Sequence, residues 1–167
     1  METAKPDQEK WKQYPNTVLE FSTAPALRID LRKPVESEAV EGLRAIGLTG
    51  PFAVLTAENP CGENVEDAPT DRQADAREER NERRTGRLEA ELLRRGTTFA
   101  RVDGVSPDGS YREHCLAILL PEDQAVELAK QLDQLALFWF DGEAFWLLPA
   151  EADQAPTRLP RAPGDRA

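Results

Sequence analysis

Arg84, Asn81 and Asn59 are the residues whose types and spacing best suit chemistry in this sequence. At about 100° per residue, Asn81, Arg84, Leu88 and Leu92 fall in one helical stripe, while Arg80, Arg83, Arg87 and Arg94 fall off it. An amide and a guanidinium thereby continue an apolar face. On a buried side they need partners, because an unpaired polar group costs on the order of 1–3 kcal/mol, more for a charge. Asn59 stands in LTAENPCGEN (55–64), where an apolar run stops at Asn59-Pro60 and an irregular polar connection over 58–69 begins. Glu113, His114 and Gln134 are expected beside it. Two outcomes are open. Asn59 closes an Asx turn and Arg84 binds loop carbonyls or a carboxylate such as Glu58, pinning the loop. Or Arg84 presents a bidentate fork to a ligand carboxylate or phosphate, which the two asparagines orient.

Other chemistry is thinly represented. His114 and Cys115 are adjacent in an expected strand, so their side chains point oppositely and do not share a metal. A zinc site would have to recruit Cys61 without the spacing that marks such sites. A Cys61–His114 nucleophile and base pair has no supporting motif. Gly104 and Gly109 are turn residues, since no helix opens after them to hold a phosphate. Neither a metal nor a cofactor is expected.

The elements that must position these residues follow from pattern. TVLEF (17–21) and ALRIDL (26–31) suit short strands, ESEAVEGLRAI (36–46) a helix, and FAVLTA (52–57) a central strand between Gly50-Pro51 and Asn59-Pro60. Thr70 and Gln73 form a capping box and Gly96 suits a left-handed C-cap, which bounds a helix at 71–95. TTFARV (97–102) and YREHCLAILL (111–120) flank the turn SPDGS and should pair antiparallel. A further helix starts at Pro121 and ends near Gln134. ALFWF (136–140) and EAFWLL (143–148) are joined by Asp141-Gly142, a two-residue type I′ signature. From 52 to 140 the order is strand, helix, strand, strand, helix, strand. That is the split βαβ of a ferredoxin-like, two-layer α+β domain, with an added C-terminal hairpin strand and an N-terminal extension.

Length and composition agree with one domain: 167 residues with 40% hydrophobic content can bury a core without staples. Residues 17–150 are expected as that domain, 1–16 as a flexible tail and 151–167, with three prolines and no apolar periodicity, as disordered. No stretch approaches the roughly 20 apolar residues of a membrane span, and the N-terminus lacks a signal-type apolar region, which favours the cytoplasm. Cys61 and Cys115 are then expected reduced. The net charge of −10 argues against nucleic acid as a partner. Eight arginines against seven acids give 71–95 a charge of +1 and leave −11 on the rest, the pattern of a solvated helix face. Phe138, Trp139, Phe145 and Trp146 make the hairpin apolar on both faces, suited to a core or to an interface with a protein partner or a second copy.

Four segments together, FAVLTAENP, NERRTGRLEAELLRRG, GVSPDGSYREHCLAILL and QLALFWFDGEAFWLLPA, resemble the bacterial family named domain of unknown function 3293, over roughly residues 50–150. The resemblance implies a bacterial origin and carries no activity. Glu58 stands where the family has a bulky residue before Asn-Pro, and His114-Cys115 where a small residue or proline is expected. Chemistry at 58, 114 or 115 would thus be particular to this chain.

The function expected from these observations is non-catalytic binding of a small anionic ligand or a protein partner at Asn59, Asn81 and Arg84. The alternatives are a hydrolase or transferase acting on a nucleotide-like substrate, with Arg84 stabilising charge and Glu113 or His114 as acid or base, and an assembly protein dimerising through the aromatic hairpin.

Overall fold

The computed structural model describes residues 13–23, 26–58, 70–151 and 154–161. Eight strands form one curled, half-barrel antiparallel sheet: β1 (Val18–Phe21), β2 (Leu27–Asp30), β3 (Phe52–Leu55), β4 (Phe99–Val105), β5 (Arg112–Ile118), β6 (Ala136–Phe140), β7 (Phe145–Pro149) and β8 (Thr157–Arg158). Their order is β2-β1-β4-β5-β3-β6-β7-β8. Three α-helices accompany them among the described residues: α1 (Ser37–Ala45), α2 (Asp71–Arg95) and α3 (Glu122–Gln131). The mixed α/β class is therefore as expected, but the sheet is larger than a four- or five-stranded core, because β1 joins it against β4.

Alternation along the strands sends side chains to two separate cores. Phe52 and Val54 join Phe138, Phe140, Phe145 and Leu147 on one face, where Leu43 of α1 also packs. Ala53 and Leu55 join Leu137 and Leu148 on the other, covered by Leu88 and Leu92 of α2 and Ala125 and Ala129 of α3. Two layers were expected; both faces of the sheet are in fact packed. The reason lies in β3, β6 and β7, whose apolar residues on both faces must leave water on both sides.

The local signals act as their chemistry dictates. Thr70 Oγ1 accepts from the Gln73 N–H at 3.3 Å while Gln73 Oε1 accepts from the Thr70 N–H at 3.0 Å, and Gly96 closes α2 at φ +69°. Asp108 anchors the turn between β4 and β5 by accepting from the Ser106 hydroxyl and the Ser110 N–H.

Two expectations are corrected. The connection after β6 is a four-residue loop, 141–144, in which Gly142 alone has positive φ; Asp141 accepts from the N–H groups of Glu143 and Ala144 and so displaces the type I′ turn. The stretch from 151 is not wholly unstructured: Thr157–Arg158 pairs with β7, the Leu159 N–H donates to the Phe145 carbonyl at 2.8 Å, and Leu159 is 1% exposed. Of the two outcomes open for the hairpin, core or interface, Phe138 and Phe145 are buried in this chain's own core, while Trp139 and Trp146 are half-buried, their indole N–H groups donating to the Leu120 carbonyl and to Asp141. Aromatic rings on a central hairpin bury more area inside the fold than at its surface.

Candidate functional site

β3 ends where its backbone pairing with β5 ends, at Leu55 opposite Leu116. Beyond that point side chains carry the ladder on. The Thr56 hydroxyl donates to the His114 carbonyl at 2.8 Å, and the Glu58 carboxylate accepts from the His114 N–H at 2.6 Å. Glu58 is itself held at both backbone groups. Its N–H donates to Thr56 Oγ1 at 2.9 Å, and its carbonyl accepts from Gln134 Nε2 at 2.8 Å, just beyond α3. The chain thus enters the 59–69 connection from a fixed point.

Across the β4–β5 hairpin, Asp103 stands directly opposite His114. Its Oδ1 lies 2.8 Å from His114 Nδ1, and its Oδ2 accepts from Arg112 at 2.7 Å. Arg112 also donates to Glu20 on β1 at 3.1 Å, so a polar strip runs from β1 to the end of β3 on the face that carries α2 and α3. With both oxygens occupied, the Asp103 carboxylate is fixed and holds the imidazole ring in turn. The His114 side chain remains 65% exposed.

α2 lies over this strip. Arg101 of β4 makes a fork with Glu89, at 3.0 and 2.9 Å. Asn81 is 6% exposed and its Oδ1 accepts from Arg84 Nη1 at 3.2 Å, so the amide is buried under the guanidinium as the helical stripe requires.

Two groups of this cluster are shifted from their ordinary values, each for its own reason. Glu58 is pushed above the ordinary carboxylate value, first by desolvation and further by the charges of Asp103 and Glu78, against the opposing hydrogen bond from His114. His114 is also raised, chiefly by its hydrogen bond to Asp103.

Of the residues the sequence singles out, Asn81 and Arg84 share one turn of α2, and His114 and Gln134 converge on Glu58. Glu113 does not join them. It lies on the opposite face of β5 with Cys115, and the Tyr111 hydroxyl donates to it at 3.4 Å. Cys115 is a free thiol whose burial pushes its pKa well up, which suits packing rather than reactivity. Asn59 and Cys61 lie outside the described residues. Asp103, Arg112 and Thr56 were missed by the sequence reading. For Asp103 a signal existed: a hairpin folded about 106–111 sets 103 opposite 114.

The molecule is thus a mixed α/β domain with a polar cluster at the end of its central strand. The chain belongs to the family described as Protein of unknown function (DUF3293), which matches residues 55–137. That window contains Glu58, Asn81, Arg84, Asp103, His114 and Gln134, and ends within β6. No curated protein and no solved structure matches the chain.

Proposed function

We propose that this chain binds a small anionic ligand, a carboxylate or a phosphate, between α2 and the end of β3, and does so in the cytoplasm. The observation that carries the reading is the buried Asn81 amide accepting from Arg84, which orients a guanidinium on the helix that packs against the sheet face carrying the Asp103–His114 pair. Oriented guanidinium groups bind carboxylate and phosphate oxygens in pairs. Among the described residues no helix is long and apolar enough to cross a membrane, which accords with that location. A protein partner or second copy at the hairpin would have to use Trp139 and Trp146 without the two phenylalanines. We also read 52–140 as a split βαβ, supported by β5 lying between β3 and β4 and antiparallel to both.

The test is a thermal-shift titration with inorganic phosphate, citrate and nucleoside monophosphates, run on the parent and on Arg84→Ala. Ligand at about a hundred times its dissociation constant stabilises by roughly 2.7 kcal/mol. A shift in the parent that Arg84→Ala abolishes upholds the reading. The same absence of shift in both proteins overturns it and leaves Arg84 as a pin for the loop.

A further inference from the structure

We propose that the outer face of α2 is a helix-pairing surface whose partner is the same face of a second copy of this chain, the two helices lying parallel. The surface uses no residue of the anion-binding reading. At about 100° per residue, Ala76, Glu79, Arg83, Gly86, Ala90 and Leu93 fall in one stripe, opposite the stripe of Asn81, Leu88 and Leu92 that faces the sheet. Their spacing alternates three and four, which is the a/d spacing of a coiled-coil seam. Leu93 is 70% exposed, and nothing lies within 4 Å of a Cβ built on Gly86. Small residues at 86 and 90 let a second backbone come close, and Leu93 then leaves water.

The charges beside this seam are sorted by flank. Asp75, Glu82 and Glu89 stand along one edge, each just before an a position, and Arg80, Arg87 and Arg94 along the other, each just after a d position. In a parallel pair these edges face each other across the seam. Asp75 then meets the partner's Arg80, and Glu82 meets the partner's Arg87, each contact repeated by the two-fold axis. An antiparallel pair would set acid against acid and arginine against arginine, so the sorting selects the parallel arrangement. Among the described residues the chain itself offers Asp75, Arg80, Glu82 and Arg87 no ion pair, whereas Glu89 is held by Arg101 and Arg94 by Glu91. Sorting also works against the isolated helix. Asp75 lies four places from Glu79, and Arg83 lies three from Arg80 and four from Arg87, spacings at which like charges repel. A partner of opposite sign relieves that repulsion. Within the seam, Glu79 and Arg83 lie on successive layers, so each can reach the partner residue of opposite sign. From 76 to 93 the seam runs about 26 Å with one large apolar side chain, so the pair is weak and concentration-dependent.

The experiment is sedimentation equilibrium of the full chain over about a hundredfold range of concentration. The parent should shift from monomer to dimer as concentration rises. Glu82→Arg and Arg87→Glu should each weaken the dimer by about tenfold or more, since each reverses two contacts of the symmetric pair. The two single variants mixed in equal amounts, and a chain carrying both substitutions, should regain it, because every swapped contact again joins opposite signs. Both side chains are exposed, so circular dichroism of each variant should match the parent. Leu93→Asp, on the same exposed seam, gives a second readout and should also remove the dimer. A parent that stays monomeric up to about 1 mM overturns the proposal. So does a dimer indifferent to the single substitutions or to Leu93→Asp, one strengthened by Glu82→Arg as antiparallel pairing requires, or a double variant that does not recover.

Discussion

The Glu58 carboxylate accepts the His114 backbone N–H at 2.6 Å, in the place a strand carbonyl would hold had β3 run on beside β5. The pair converts the end of the central strand into an anchor. A carboxylate serves as acceptor here because backbone pairing of β3 with β5 ends at Leu55, and a reach of several bonds is needed to meet the ladder from Glu58. The position is therefore sensitive to acceptor and to length, more than to charge.

Glu58→Gln keeps an acceptor of the same reach and should change stability by less than about 1 kcal/mol. Glu58→Ala removes the acceptor of the His114 N–H and should cost about 0.5–1.5 kcal/mol in urea denaturation. Equal losses in the two variants would show that the hydrogen bond does not matter to the fold.

His114 is the only histidine, so its ring protons report one titration. Its midpoint should lie above the ordinary 6.5 and fall toward it in Asp103→Asn, checked by NMR. The sign for stability follows by linkage. A histidine raised in the fold contributes stability that is complete below pH 6.5 and lost as pH rises through the folded value. Glu58, also raised, favours the folded state while protonated, and that contribution is lost as pH rises past 4.5 and through its folded value. Asp30 and Asp108, lowered to about 2, act oppositely: their contribution is present above 3.8 and lost as pH falls toward 2. Urea midpoints should therefore be greatest between roughly pH 4 and 6.5 and decline on the alkaline side, with a smaller decline in Asp103→Asn.

Leu159→Ala should cost about 2–5 kcal/mol, as for other fully buried leucines, and should do so although the residue follows a proline-rich, aperiodic stretch. A loss under about 1 kcal/mol would mean that β8 and its neighbour are dispensable to the core.

Gly86 lies inside α2, exposed, with no heavy atom within 4 Å of an added Cβ. Gly86→Ala should stabilise by about 0.5–1 kcal/mol, near 1–4 °C in Tm for a domain of this size. A fall in Tm would show that the helix bends or packs there.

The sequence made most elements legible because each is written in local chemistry. Thr70, Gln73 and Gly96 bound α2 without reference to the rest of the fold, and the stripe of Asn81, Arg84, Leu88 and Leu92 names its inner face. What the sequence left hidden is non-local. β1 sits beside β4 because Leu19 and Phe21 complete a core with residues of the far hairpin, a fact with no trace near residue 20. β8 is two residues long and is kept in place by Leu159, so it has no period to detect. At the site, Asn81 and Arg84 were visible through helical geometry. Glu113 was misassigned because being next to His114 in sequence means facing away from it in a strand. Asp103 went unseen because its importance comes from register across a hairpin rather than from its own segment.

The sheet order also sets how the molecule must assemble in time. β4–β5 and β6–β7 are local hairpins that can close early, whereas β3 is seated between β5 and β6 and pairs with residues 116–118 and 138–140, more than sixty positions away. The strand that carries the site is thus a keystone inserted between two preformed halves. Folding is then governed by the search that brings Phe52–Leu55 into that gap, and refolding in the millisecond-to-second range follows, with Glu58 the latch that closes behind it.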